Sequence, residues 1–502
     1  MIHEPASPSG KVGQRVQLKI GGSAEPGRGD PFVVYNPATE EPIAEVRAAT
    51  PDQVHRAVAE ARTALDRGEL GSAEDRSQYL HRLADVMTAH ADDILETVIA
   101  EVGTPVSTAR DLHLGTPIEI LRWLADAALK DRAEYLGRNQ GPGASEATVY
   151  YRPIGVVAGI TAYNYPVLFY AMKAGSALAA GCPIVLLPSP QAPLSSLQFA
   201  GFLEEAGVPE RAVSVLAGGV DTAQTLIGSK QVAKVSFTGS VAAGTAVMKA
   251  AAEGIRDVVL ELGGKSAAII LPSAHLADII GSLHYRYLRN AGQGCASPTR
   301  LLVHEAHLEE FTLLSKSVYG GVVVGDPWNP DTLVGPVISR QHRDRVLDYI
   351  SGALADGGHE VATGLPAATD RGWYVTPTLI GGLSNEARIN QEEVFGPVAT
   401  VISYRSVDEA VSIANASTYG LHASIFGAFD EAQAIALSLE AGTVTINGGG
   451  RVRPDAPNGG WKESGVGRER GEAGIRAYLE PVTVQWPAAA QELAHDDASD
   501  SH

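Results

Sequence analysis

From Thr50 to about residue 133 the apolar positions recur every three or four residues, as in Tyr79, Leu80, Leu83, Val86 and Met87. This spacing predicts helices over 51–67, 74–102 and 106–133. Thr50-Pro51-Asp52 reads as a helix start, because proline has the right φ for the first helical position and the N–H it lacks would have no intrahelical partner. Upstream, Val33 to Val46 reads as two short strands around the Asn36-Pro37 turn. From Val149 the period changes. Apolar runs too short for helices appear at 154–160, 184–187, 213–216, 235–237, 258–262 and 267–271, with helical stretches fitting 167–180, 194–205 and 240–253. Strands alternating with helices at this spacing predict a parallel sheet covered on both faces, an α/β fold. Further β-like runs at 301–304, 376–380, 398–404, 423–426 and 443–446 predict a second α/β domain. Residues 1 to about 15 read as a loose polar arm, and the Ala-, Asp- and Ser-rich end from Ala488 to His502 as a frayed tail.

Composition narrows the function classes. A chain of 502 residues has room for two or three domains with ample core. Its net charge of −19 argues against nucleic acid and anionic membrane surfaces as partners. Two cysteines make no disulfide framework and nothing has zinc spacing, so the reading is a metal-free protein of a reducing, cytoplasmic compartment. No apolar run reaches membrane-spanning length, and the first residues lack the basic and apolar parts of a signal peptide.

Candidate chemistry centres on Asn290-Ala-Gly-Gln-Gly-Cys-Ala-Ser-Pro-Thr-Arg300. Gly292 and Gly294 allow a tight bend that presents the Cys295 thiol to a cleft, as a nucleophile requires; the plainer reading is a small buried hydrophobe. Three groups of unusual residues fall just past strand ends: Tyr163-Asn-Tyr-Pro166, Pro188-Ser-Pro190 and Thr238-Gly-Ser240. Open α/β sheets bind ligands at that edge, and helix N-termini there accept phosphate, although each group is also ordinary loop punctuation. No Gly-x-Gly-x-x-Gly stands at the first strand–helix turn. Glu261, closing an apolar strand before Gly263-Gly264, is either a paired edge residue or a general base with a raised pKa.

Taken in order, six motifs resemble the NAD(P)-dependent aldehyde dehydrogenase superfamily over about residues 30 to 485: Tyr163-Asn-Tyr-Pro166, Phe237-Thr-Gly-Ser240, Glu261-Leu-Gly-Gly-Lys265, Gly292-Gln-Gly-Cys295, Glu392-Glu-Val-Phe-Gly-Pro397 and Pro457 to Glu469. The resemblance implies oxidation of an aldehyde to a carboxylic acid with NAD or NADP. Cys295 is then the nucleophile, Asn164 an oxyanion donor, Glu261 the base that activates water, and Lys173 a support for the proton path. It implies cofactor contacts at Thr161, Tyr163, Leu187, Ser189, Gly239, Ser240, Leu262, Glu393 and Phe395, and a substrate tunnel lined by Trp123, Tyr165, Phe169, Met172 and Asn458. That lining favours a medium-sized aliphatic or aromatic aldehyde, while Arg451 and Arg453 offer a carboxylate partner.

Two departures from the family pattern bear on these expectations. Leu187 and Pro190 stand where the family usually has the Lys and Glu that bind the adenosine ribose, and Asn458 stands where an aromatic residue is common. The implied architecture is a dinucleotide-binding domain of residues 1–128 and 152–263, a catalytic domain of 264–463, and a small β flap of 129–151 with 464–490. The last residues, 491–502, form a tail. Such a flap would join subunits of a homodimer or homotetramer by strand addition. Competing readings are a CoA-acylating enzyme, a thioesterase, and a cofactor-impaired binding or structural member.

Overall fold

The computed structural model describes residues 16–488, so the expected arm and nearly all of the expected tail lie outside the described residues. The first sheet has eight strands, in spatial order Ser23–Pro26, Gln17–Ile20, Val213–Val215, Ile184–Leu187, Val156–Ile160, Val232–Thr238, Asp257–Glu261 and Gly465–Val466. The five strands from Val213–Val215 to Asp257–Glu261 run parallel, and the flanking pairings are antiparallel. Successive side chains of a strand point to opposite faces. Accordingly Val157, Ile184 and Leu186 enter one apolar cluster, while Val156, Ala158, Val185 and Leu187 enter another across the sheet. Both faces are dry, which is why these strands read as continuous apolar runs instead of alternating ones. Val156–Ile160 has Ile184–Leu187 on one side and Val232–Thr238 on the other, so the chain order reverses there and a crevice opens beyond the strand ends.

The second sheet has seven strands, ordered His359–Thr363, Thr378–Gly381, Val398–Tyr404, Arg300–His304, Ala267–Ile270, His422–Phe426 and Thr443–Ile446. Only its first pairing is antiparallel. It too is filled on both faces, with Ala268 and Ile270 in one cluster and Ala267 and Ile269 in the other. The mixed α/β fold expected from the sequence is the one observed. A third sheet joins Leu479–Pro487, Ser145–Pro153 and Glu134–Arg138. Of the residues after 464, Gly465–Val466 pairs with the first sheet and the helix Gly471–Arg476 packs on Pro166–Ala180, so only Leu479–Pro487 enters this small sheet.

The early helices depart from their predicted bounds. The stretch 74–102 is two helices, Ala73–Ala89 and Ala91–Val102, broken at His90, whose ring reaches Asp93 and Glu205. Both helices bury the same side, so the apolar period runs through a one-residue break unchanged. The stretch 106–133 contains a π-helical turn at Asp111–Gly115 and ends at Ala128. The extra residue in that turn carries His113 into the interior, where it meets Thr104. The helix Val220–Gly228 and the hairpin Gln17–Ile20 with Ser23–Pro26 are too short to leave a periodic signal, and the sequence reading missed them.

Candidate active site

The turn that carries Cys295 is strained and heavily pinned. Asn290 and Ala291 both adopt left-handed backbone, with φ of 52° and 53°, and Gly292 follows at 73°. A side chain at Gly292 would strike the Gly396 carbonyl oxygen 2.0 Å away, so no other residue fits. Non-glycine residues in this region cost about 1–3 kcal/mol each unless their surroundings hold them. Here they do. Thr104 Oγ1 donates to Asn290 Oδ1 (2.7 Å), Asn290 Nδ2 donates to the Asn164 carbonyl (3.1 Å), and Gln293 links the Asn290 carbonyl (3.2 Å) to the Ile338 N–H (3.0 Å). Gly264 lets the Glu261 loop pass, since a Cβ there would lie 2.5 Å from the Cys295 carbonyl oxygen.

Cys295 is half-buried, whereas Cys182 is fully buried with its thiol 3.2 Å from the Tyr478 carbonyl. Burial, then the nearby carboxylates of Glu393 and Glu261, push the Cys295 thiol up to about 12. It is therefore a neutral thiol at rest. Asn164 lies beside it, its amide Nδ2 donating to the Gln293 carbonyl at 2.8 Å, which fixes the direction of that amide relative to the cysteine turn.

Opposite stands a buried acid cluster. Glu261 closes its strand beside Thr238 and Gly465, and one carboxylate oxygen has no partner while the other accepts from Asn458 Nδ2 at 3.3 Å. Gly459 gives it room, since a Cβ there would come within 2.9 Å of that oxygen. Burial first, and the like charge of Glu469 second, raise its pKa well above the usual glutamate value, against the pull of Lys173, Arg470 and Arg468. Lys173 is wholly buried and donates to Glu469 Oε1 (2.6 Å) and Ser236 Oγ (3.0 Å). Glu469 and Arg470 escaped the sequence reading, although Glu469 ends the last motif. Arg470 donates to Asn458 Oδ1 at 2.6 Å, so Asn458 bridges that cation to the Glu261 carboxylate.

The sheet edge supplies polar groups suited to a dinucleotide. At the chain reversal Thr161 directly follows the strand Val156–Ile160 and Thr238 ends the strand Val232–Thr238, and each has a buried hydroxyl without a partner. Ser240 caps the helix Val241–Ala252 at its N-terminus, and Gly244 lets that helix close on Leu262. Glu393 is half-buried, accepts from the Gly264 N–H at 3.0 Å, and is raised to about 7 by desolvation. Tyr163 and Phe395 meet edge to face at 6.1 Å above it. Ser189 follows as a half-exposed turn residue. Orphaned hydroxyls, a capped helix start and a half-buried carboxylate fit the phosphates and hydroxyls of NAD or NADP. The Leu187 side chain is 2% exposed and packs in the core.

Of the expected tunnel residues, Tyr165 lies against the cysteine turn, where a Cβ on Gly294 would sit 3.2 Å from its hydroxyl. Phe169 packs edge-on against Tyr165 at 6.4 Å. Asn458 faces the base, as above. Met172 and Trp123 instead pack in or against the large core cluster. Arg451 and Arg453 already hold carboxylates, Arg451 with Glu119 (2.8 Å) and Arg453 with Asp455 (2.6 Å). Among the described residues no cluster of His, Cys, Asp and Glu is fit to hold a metal, and no helix is long and apolar enough to cross a membrane.

Comparison with known proteins matches residues 25–484 to the model of the aldehyde dehydrogenase family. Geranial dehydrogenase of Castellaniella defragrans is 38% identical over 450 residues, covering 89% of this chain and 93% of that protein. An aldehyde dehydrogenase of Bacillus cereus, solved as an NAD+ complex, superposes with a TM-score of 0.91 at 32% identity, over 95% of this chain and 98% of that one. A point mutant of betaine aldehyde dehydrogenase from Staphylococcus aureus, also with NAD+, gives 0.90 at 31% identity, over 94% and 97%.

Proposed function

Because this chain belongs to the aldehyde dehydrogenase family, we propose that it oxidises an aldehyde to its carboxylic acid through a thioester on Cys295 that water releases. The observation that supports this best is the convergence of the strained Cys295 turn, the Asn164 amide and the Glu261 carboxylate within one site. The neutral thiol loses its proton to solvent as sulfur bonds to the aldehyde carbon, and Glu261, with its raised proton affinity, is kept for the later step. The Asn164 N–H and the Cys295 backbone N–H hold the oxyanion that forms, where one such donor is worth about 10²–10³ in rate. NAD or NADP, when bound, supplies the acceptor for the hydride lost from that carbon. The Glu261 carboxylate then takes a proton from water as the water attacks the thioester, and the carbon–sulfur bond breaks to give acid and free Cys295. Lys173 and Glu469 form the buried relay behind this base. A base placed this way favours hydrolysis over transfer to CoA.

On this reading Glu393 holds the nicotinamide ribose, and Thr161, Thr238 and Ser240 the phosphates. The relatives solved with NAD+ make NAD the first cofactor to try. The first sheet and its helices serve as the dinucleotide-binding domain, the second sheet as the catalytic one, and the three-stranded sheet as a seam between subunits of a cytoplasmic homodimer or homotetramer. The test is kinetic. Cys295→Ala is expected to abolish oxidation and leave cofactor binding intact, with Cys182→Ser active. Glu261→Gln is expected to give a burst of reduced cofactor and then almost no turnover. A Cys295→Ala protein of normal turnover, or a wild type that requires CoA, would overturn the reading.

A further inference from the structure

Two arginines beside the cysteine turn carry charges that no carboxylate among the described residues answers. Arg286 lies in the helix Leu276–Leu288, and Arg289 follows that helix directly at the start of the strained turn. Among the described residues neither has a carboxylate within ion-pair distance, in contrast to Arg451 and Arg453. Arg286 Nε is buried without a partner, and its guanidinium lies close to Gly448, where a Cβ would meet Nη2 at 3.0 Å. Arg289 stands 5.8 Å over the Tyr285 ring and within electrostatic reach of the Tyr165 hydroxyl, which itself feels Cys295. His422 ties the group together. Its Nδ1 is buried without a partner, and burial, followed by the charges of Arg286, Arg289 and Arg470, holds the imidazole neutral, down to about 4. Arg470 differs from the other two, because Glu261 and Glu469 lie within reach of its charge.

Two like charges near each other and partly out of water repel, and the buried Arg286 Nε retains unmet hydrogen-bonding capacity. A chain of net charge −19 has carboxylates to spare, yet none is placed here. An anion supplied from outside would relieve both penalties, and paired guanidiniums suit the forked oxygens of such a group. On the reading that Cys295 attacks an aldehyde, we propose that Arg286 and Arg289, with His422 beside them, bind an anionic group at the far end of that substrate. The preferred substrates are then aldehydes bearing a terminal carboxylate or phosphoryl group, in place of the neutral aliphatic or aromatic aldehydes favoured by Tyr165 and Phe169 alone.

The test compares kcat/KM for an n-alkanal, the ω-oxo carboxylate of equal length and the corresponding aldehyde phosphate ester. Wild type is expected to prefer one anionic substrate over the alkanal, and whichever is preferred names the group. In Arg286→Gln and Arg289→Gln that preference is expected to fall by about 10- to 100-fold each, the range of one charge-assisted hydrogen bond. Arg289→Lys is expected to keep part of it, and Arg451→Gln all of it. A second measurement needs neither cofactor nor aldehyde oxidation: the ratio of Cys295 alkylation rates by iodoacetate and iodoacetamide, expected to drop in both Gln variants. If wild type oxidises no aldehyde, the proposed function fails and the alkylation ratio still judges the anion site. Equal use of alkanal and anionic aldehydes, or a ratio unmoved by either Gln variant, overturns the proposal.

Discussion

Glu261 is costly to bury, and that cost sets its chemistry. Burial and the charge of Glu469 favour its protonated form, so it titrates above the ordinary 4.5 of a glutamate. As the proposed base it works only when ionised, so thioester hydrolysis is expected to fail as pH drops through this raised value. Glu469→Gln removes the like charge and leaves the Lys173 cation unbalanced beside Glu261. Both effects lower the pKa of Glu261, so the acidic limb of the pH–rate profile is expected to move to lower pH, which a burst-resolved pH series will show. At the adenosine edge, exposed Pro190 supplies no acceptor for the ribose. Pro190→Glu is expected to tighten NAD by about tenfold, from one charge-assisted hydrogen bond, and to weaken NADP through repulsion of its 2′-phosphate, as titration of each cofactor will measure. Leu187→Lys offers less than its sequence position promises, because the new side chain would start inside the core.

Among the elements, the helix Leu194–Glu205 shows how a distant segment completes a local one. Its own N-cap, Pro193, has no side-chain acceptor, and buried Glu101 from the helix Ala91–Val102 accepts instead from the Leu194 and Ser195 N–H groups at 2.7 and 3.0 Å. Loss of such a cap costs about 0.5–2 kcal/mol, so Glu101→Ala is expected to lower Tm by several degrees without touching the chemistry. Burial raises Glu101 to about 7 from 4.5 despite those two donors. Its folded pKa therefore exceeds its unfolded one, and its contribution is full below about 4.5 and lost as pH rises through about 7. Glu101→Gln keeps one acceptor and cannot ionise, so denaturant melts are expected to show less loss of stability across that window than in wild type.

For the molecule as a whole, the three-stranded sheet projects two unpaired edges. Glu134–Arg138 and Leu479–Pro487 expose Tyr135, Leu136, Val482 and Val484. Open edges with apolar side chains invite strand addition. Leu136→Asp with Val484→Asp is expected to shift the protein to a smaller species in sedimentation velocity while each subunit keeps its fold.

Much of this architecture was legible in the sequence because burial follows period. Strands covered on both faces must be apolar throughout, so Ile184–Leu187 and Val398–Tyr404 stood out at their observed bounds. The cysteine turn was legible because Gly292 has no substitute: it meets a carbonyl where any side chain would go. The break at His90 and the π turn at Asp111–Gly115 left the apolar period intact, and so were invisible. Nor did residue type reveal which arginines were spoken for. Arg451 and Arg453 looked available and are paired, whereas Arg286 and Arg289, which no sequence feature singled out, have no carboxylate partner among the described residues. Lys173, Ser236 and Glu469 likewise come together from three distant segments. Local backbone preference and burial are written residue by residue, so sequence alone determined the α/β class, most of the strands and the bend that carries Cys295. A charge takes its meaning from the sign and distance of its neighbours, and those are decided only when remote segments pack.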